Sequence, residues 1–239
     1  MTPSPLILHG IGFDPYYNLA AEEVLTEFCT GRKSLYLWQN DRTVVVGRNQ
    51  DLTAEVDVSY AQANDITLTR RISGGGAVYH DKGNLNFTFA GSENETDVIV
   101  NAVSALGLEV VTTGRNDIEV VCGRTSAKFS GNAYYKSGAK SFHHGTILVN
   151  TDFEVMSQVL TPDKAKLEGH GVKSIKARVV NLIEVNPSVT VDAVKSAIIE
   201  SFEKKYGKAE SLDIASLNAD AIESVRQRLI STEWIYGSK

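Results

Sequence analysis

Cysteine is scarce in this sequence. There are two, Cys29 and Cys122, with no CxxC pair and no Cys/His spacing that suits zinc. A disulfide framework is therefore excluded, and a reducing compartment fits. The opening MTPSPLILHGIGF has neither a basic start nor a long apolar run, so no signal peptide is expected. No window is apolar for long enough to span a membrane. A cytoplasmic chain without a membrane partner is the expectation. Excess positive charge is missing too. The net charge of −5 argues against non-specific nucleic-acid binding over the whole surface, although a local basic patch remains open. No internal repeat appears, which excludes a solenoid. Two nucleotide-binding fingerprints are also absent. Nothing matches GxxxxGK[ST], and the only glycine cluster lacks the GxGxxG spacing between a strand and a helix.

What is present is an ordinary globular composition, 42% hydrophobic and 22% charged over 239 residues, ample for a substantial core. PLILHG reads as a strand. Asp14-Pro15 reads as an N-cap with proline at the first helical position, opening a helix through Phe28 that Gly31 can close. SLYLWQN and TVVVGRN, separated by Asp41-Arg42, read as a hairpin. DVSYAQAND reads as a helix and ITLTRR as a strand. In NLNFTF, Leu85, Phe87 and Phe89 alternate with Asn84, Asn86 and Thr88, the pattern of a half-buried strand. TDVIVNAVSALG reads as a helix capped by Thr96 or Asp97. LEVVTTG, DIEVVCG, TSAKFSGNAYY and FHHGTILVN form a block of strands. Beyond Phe153 helices dominate, with caps at Thr161-Pro162 and at Thr190 or Asp192. Without regular crossover helices between the strands, an α+β fold is expected.

The densest chemical signal is TRRISGGGAVYHDKGNLNFTF, Thr69 to Phe89. Consecutive glycines can adopt φ > 0 and present backbone N–H groups as a concave nest for an anion. Arg70 and Arg71 end the preceding strand and point to opposite faces, so one can serve the loop while the other pairs elsewhere. A guanidinium beside free N–H groups is a good phosphate or carboxylate receptor. A flexible connector is the alternative.

Three further segments carry candidates. GRNDIEV places Asn116-Asp117 at the start of a strand, where a carboxylate near a phosphate suits Mg²⁺ and a turn-forming pair is the plainer choice. AKFSGNAYY carries Lys128 within a strand, where a lysine is usually solvated. Regular alternation puts Ser130 on its face and Ala127 and Phe129 on the other, with Gly131 a break or bulge. FHHGTILVN has His143 and His144, which point to opposite faces and cannot easily share a metal; one is structural and the other can line a pocket. Cys122 reads as an inert strand cysteine, since nothing places a base beside it.

RRISGGGAVYHDKGNLNFTF, GRNDIEV, SAKFSGNAYY, FHHGTILVN and KSIKARVVNL, in this order over roughly residues 8 to 206, resemble the lipoate–protein ligase A family of the biotin/lipoate ligase superfamily. The resemblance implies a mixed β-sheet flanked by helices. It implies activation of lipoate by ATP to lipoyl-AMP, then transfer to a lysine of an acceptor domain in oxo-acid dehydrogenase E2 subunits or the glycine cleavage H protein. By position it implies that Arg71, Gly75, Gly76, Ala77, Val78 and Tyr79 hold ATP and the adenylate, with Asn116 and Asp117 at the phosphate and Asp117 on Mg²⁺. Lys128 becomes the catalytic cation, touching adenylate phosphate and lipoyl carbonyl. Arg70, Ser73, Gly75, Lys128, Gly131, Ala133 and His144 are the residues expected around lipoate.

Three rivals stay in view. An octanoyltransferase of the superfamily uses a cysteine nucleophile, and no cysteine follows FHHGTILVNTD. A biotin ligase has basic residues between its glycines. A non-catalytic lipoyl-binding protein would keep the pocket and lose the chemistry. The sequence reads as a single catalytic domain, 1–239. It stops at STEWIYGSK, where longer relatives enter a small accessory domain; by the resemblance a junction lies near 231–239, and the sequence is either a truncation or a natural short form that works with a separate accessory subunit. Lys136 and Lys140 in YYKSGAKSFHH could attract an acidic acceptor, or simply be solvated.

Overall fold

The computed structural model describes residues 3–29, 31–113, 116–161 and 179–237. The strands are β1 (Leu6–His9), β2 (Ser34–Trp38), β3 (Thr43–Val46), β4 (Thr67–Arg70), β5 (Val78–His80), β6 (Asn84–Ala90), β7 (Val110–Thr113), β8 (Asp117–Cys122), β9 (Thr125–Ser137), β10 (Lys140–Leu148) and β11 (Glu210–Asp213). They build an eight-stranded sheet in the order β11-β1-β2-β6-β10-β9-β8-β7 and a three-stranded sheet in the order β4-β3-β5. Both are mixed: β1 runs parallel to β2 and β11, β3 runs parallel to β4, and the other pairs are antiparallel. The helices are α1 (Pro15–Phe28), α2 (Leu52–Glu55), α3 (Val58–Ala63), α4 (Thr96–Ala105), α5 (Phe153–Val159), α6 (Leu182–Val185), α7 (Val191–Tyr206), α8 (Ala219–Leu229) and α9 (Thr232–Tyr236). This is the expected mixed sheet flanked by helices. Among the described residues no helix is long and apolar enough to cross a membrane.

One face of the large sheet presents Leu85, Phe87, Phe89, Ile118 and Ile147 to α4 and α7, forming the largest core cluster. The other face packs Tyr36, Trp38 and Ala90 against Leu19, Val24 and Leu25 of α1. The small sheet covers part of this second face. Val45 and Val78 turn toward it, while Val44, Val46 and Tyr79 turn away into a third cluster with Met156 and Val159. The cleft described below lies between the two sheets.

Several sequence expectations hold. Asp14 caps α1 by accepting from the Tyr16 N–H at 2.9 Å, with Pro15 in the first turn. Thr190, not Asp192, caps α7 through the Ala193 N–H. Others are corrected. SLYLW and TVVV are not a hairpin: β2 pairs with β1 and β6, and β3 pairs with β4 and β5 of the other sheet. Arg42, at φ 39°, turns the chain from one sheet to the other. Every residue of β2 is buried, and a strand that needs both faces covered gains more at the centre of a sheet than in a two-stranded ribbon.

β6 is not half-buried. All seven of its residues are buried: on its polar face Thr88 Oγ1 donates to Glu22 Oε1 at 2.6 Å and Asn84 Nδ2 donates to Asn86 Oδ1 at 2.9 Å, while Asn84 Oδ1 and Asn86 Nδ2 are buried without a partner among the described residues. The helix α4 starts after Glu95 rather than Thr96 or Asp97. Asn94 Oδ1 takes up the Thr96 N–H, while the buried Glu95 accepts from Lys205 at 2.7 Å. The helix expected from Thr161-Pro162 lies outside the described residues, as do most of KSIKARVVNL and the first two residues of GRNDIEV.

Candidate functional site

Strand register lays a row of side chains across the second face of the large sheet. Trp38 of β2 sits opposite Asn86 of β6, Asn86 opposite Thr146 of β10, Thr146 opposite Gly131 of β9, and Gly131 opposite Asp117 of β8. All five line one cleft of about 290 Å³. Neighbouring strands lie ~4.8 Å apart, so Gly131 and Asn86 are about 10 Å apart along the row. The row is charged at the Asp117 end and mainly apolar at the Trp38 end, where Leu19 and Val45 complete the wall.

Lys128 reaches this row through an irregularity. Regular alternation would set it opposite to Gly131, with Ser130 beside it. The β8–β9 register slips between Ile118 and Glu119, however, leaving one extra residue on β9. A bulge of this kind re-aims a side chain. Phe129 keeps to the main core, and Lys128 joins Gly131 on the cleft wall. Ser130 is opposite Ile147 and Ile118, the core side, so the expectation that it shares the lysine's face is corrected. The Lys128 ammonium lies 2.7 Å from Asp117 Oδ1, both groups partly open to solvent. A Cβ on residue 131 would come within 3.1 Å of that nitrogen, so Gly131 gives the ammonium its place.

The glycine loop forms the facing wall, with Gly75, Gly76, Ala77 and Val78 on the cleft. Its organiser is Arg71, buried within it. Arg71 Nε donates to Ser73 Oγ (3.0 Å) and the Gly74 carbonyl (3.2 Å), Nη1 to the Val45 carbonyl (3.1 Å), and Nη2 to the carbonyls of Gly74 (2.7 Å) and Gly76 (2.8 Å). Among the described residues this leaves one Nη1 hydrogen for a ligand. Burial lowers the Arg71 pKa to about 10, with Glu22 opposing, so the guanidinium stays charged at neutral pH. By gathering the loop's carbonyls the arginine leaves its amides free for an anion. Gly75 needs its freedom: its φ is 95°, and a Cβ there would meet Arg71 Nη2 at 2.9 Å. At Gly74 and Gly76 a Cβ would meet open space.

Behind the loop runs a buried chain. Ser73 Oγ is 2.8 Å from His144 Nε2, and His144 Nδ1 is 2.8 Å from Glu22 Oε1. His144 lines the cleft together with Ala133, its neighbour in register. Ser73 does not itself line the cleft. His143 faces the other way, as alternation requires. It accepts from the Glu95 N–H (2.9 Å) and meets Asn132 Oδ1 at 2.8 Å, with a pKa pushed down to about 3 by burial and then by His144.

Arg70 is outside the cleft, against the expectation that it contacts lipoate. Its guanidinium is held by the carbonyls of Gly47, Arg48, Gln50, Trp234 and Ile235, at 2.7 to 3.1 Å. The Tyr79 side chain also points away, into the third cluster, because it alternates with Val78 and His80. Lys136 and Lys140 are paired with Glu93 and Glu27, so the basic stretch is not a bare positive surface. Cys29 is buried, and Cys122 packs beside the main core with its thiol pKa raised by burial; neither lines the cleft.

Among the described residues Asp117 is the only carboxylate on the cleft wall, and no group of three or more His, Cys, Asp or Glu side chains is placed to hold a metal. That donor set fits Mg²⁺ carried by phosphate oxygens rather than a protein cage. The sequence reading missed Leu19, Glu22, Trp38, Val45, His80, Asn86 and Thr146. Glu22 had a signal: an acid three residues from both Leu19 and Leu25, on the apolar face of α1.

The family Lipoyl protein ligase A/B catalytic domain matches residues 14–203. The lipoate-protein ligase A of Bdellovibrio bacteriovorus is 39% identical over 236 residues, covering 94% of this chain and 70% of the relative. Among solved structures, the bi-partite lipoate protein ligase of Thermoplasma acidophilum, studied with its E2 lipoyl domain, superposes with a TM-score of 0.83 at 28% identity, covering 99% of this chain and 97% of that one. A lipoate-protein ligase A bound with ATP gives 0.76 at 27% identity, with 98% of each chain covered.

Proposed function

Because this chain belongs to the lipoyl protein ligase A/B catalytic-domain family and is a lipoate–protein ligase, we propose that the cleft performs both halves of the reaction. A carboxylate oxygen of lipoate attacks the α-phosphorus of ATP, forming lipoyl-AMP and releasing pyrophosphate. The amine of an acceptor lysine then attacks the lipoyl carbonyl carbon; an amide forms, AMP leaves, and the amine gives up a proton.

The observation that carries this reading is the position of Lys128, in the cleft wall opposite the glycine loop and beside Asp117. One ammonium there can neutralise carboxylate and phosphate as they approach, and then the oxyanion of the second step. The amides from Gly75 to Tyr79 suit the nucleotide, with Arg71 holding their wall. Asn116 and Asp117 stand at the phosphate end, and Asp117 would hold Mg²⁺, which would supply charge neutralisation. Gly131, Ala133 and His144 lie toward the acyl chain, with Ser73 behind His144. No cysteine lines the cleft among the described residues, so an acyl-cysteine intermediate has no support.

The acceptor is proposed to be a lipoyl domain of an E2 subunit or the glycine cleavage H protein, in the cytoplasm. Help from a separate accessory subunit in the activation step belongs to the same proposal. The experiment is intact mass of a lipoyl domain incubated with this chain, lipoate and Mg-ATP, beside a reaction given ready-made lipoyl-adenylate. Modification in both supports the full cycle. Modification only from the adenylate limits the chain to transfer. Modification in neither overturns the assignment.

A further inference from the structure

The apolar end of the cleft contains a buried hydrogen-bonding atom with nothing to bond. His80 is 3% exposed and lines the cleft near Leu19, Trp38 and Val45. Its Nε2 has no partner among the described residues.

A relay of fixed polarity decides what that atom carries. The Gln39 carbonyl can only accept, and Asn18 Nδ2 donates to it at 2.8 Å. The same Nδ2 donates to Asn40 Oδ1 at 3.1 Å, and Tyr36 Oη donates to Asn18 Oδ1 at 3.1 Å. Asn40 is thereby oriented with its Nδ2 toward His80 Nδ1, at 3.1 Å. Nδ1 is the acceptor, so the single proton of the neutral ring sits on Nε2. Burial, then the charge of Arg71, pushes the His80 pKa down to about 3, so the ring stays neutral. The relay fixes one N–H donor at this end of the cleft, where Asn86 Nδ2 is the other buried donor without a partner among the described residues.

We propose that His80 is a specificity-determining residue: its Nε2–H donates to a ring sulfur of lipoate and so favours the lipoyl chain over a plain alkyl chain of the same length. The inference rests on the lipoate reading of the cleft. The span agrees, since about 10 Å separates Gly131, beside Lys128, from Asn86 at the Trp38 end. An alkyl tail would seal the donor away from water unpaired, which is costly; a thioether-like sulfur is a weak acceptor that relieves it.

The test is calorimetric binding of two stable adenylate mimics, lipoyl- and octanoyl-sulfamoyl adenosine. Wild-type protein is expected to bind the lipoyl mimic about tenfold more tightly. His80→Phe keeps a flat ring and removes the donor, so the lipoyl-to-octanoyl ratio should fall to near one. Asn40→Asp, read at pH 8.5 so that the ring beside the new carboxylate stays neutral, accepts from Nδ1–H and turns Nε2 into a bare acceptor, so it should lose the preference as well. An unchanged ratio in both variants overturns the proposal, as does a parallel loss of both mimics, which would mean a structural role. If wild-type protein binds neither mimic, the lipoate reading itself fails.

Discussion

Lys128 and Asp117 lie on adjacent antiparallel strands with nitrogen and oxygen 2.7 Å apart, although regular alternation would turn the lysine to the opposite face from Gly131, the residue Asp117 faces in register. The bulge in β9 makes the pairing. The carboxylate holds the ammonium at the cleft wall.

Lys128→Ala should lower acceptor lipoylation by about 10²–10³-fold, the usual effect of losing one preorganised donor. Its circular dichroism should be unchanged, because the ammonium is partly exposed and buttresses no core. Intact mass of the acceptor gives the rate; near-normal turnover would remove Lys128 from the chemistry.

Gly75→Ala and Gly74→Ala should behave differently despite being adjacent. At residue 75 a Cβ meets both a positive φ and Arg71 Nη2, so a loss of about 1–2 kcal/mol and weaker ATP binding are expected. At residue 74 a Cβ meets open space, so stability should be unchanged. Urea melts of the two proteins, with and without ATP, separate strain from contact.

Arg70→Met should destabilise the chain by roughly 2–4 kcal/mol, because it abandons five buried or half-buried carbonyls at once. Amide exchange of Trp234–Tyr236 should accelerate, while binding of an adenylate mimic to the folded protein should persist. A stable variant with lost ligand affinity would restore Arg70 to the substrate site.

Acid should weaken the fold earlier than its carboxylates alone require. His80 and His143 are held neutral, with pKa values near 3 against 6.5 for an ordinary histidine. Between those values the unfolded chain binds protons that the folded chain refuses. Stability is therefore complete above about pH 6.5 and falls as pH drops toward 3, by up to ~1.4 kcal/mol per pH unit for each ring. Melting temperatures from pH 7.5 to 5 should show it, and His143→Gln should flatten the slope.

The glycine loop was legible because it carries its signal locally, in consecutive glycines beside two arginines, whereas Lys128, Asp117 and His144 each had a plainer local reading and gained a place in the site from the resemblance of the ordered motifs. The sheet then brings them together. What escaped depends on partners far along the chain. Nothing within TSAKFSG announces that β9 must slip against β8. SLYLW and TVVV look like a hairpin until β6 and β4 compete for them. Asn84, Asn86 and Thr88 look solvent-facing until Glu22, 66 residues from Thr88, is there to accept. His80 was visible beside the glycines, but its tautomer is set by Asn18 and Asn40, which no local pattern connects to it.

The row from Trp38 to Asp117 crosses five hydrogen-bonded strands, so its spacing is that of a sheet and not of a loop. Such a scaffold is a ruler with one graduation per strand. No rearrangement of the glycine wall lengthens the distance from Asp117 to Trp38 along that row. Evolution, or an engineer, seeking a longer acyl cargo must therefore erase bulk at Trp38 or Leu19, because the graduations themselves cannot be moved.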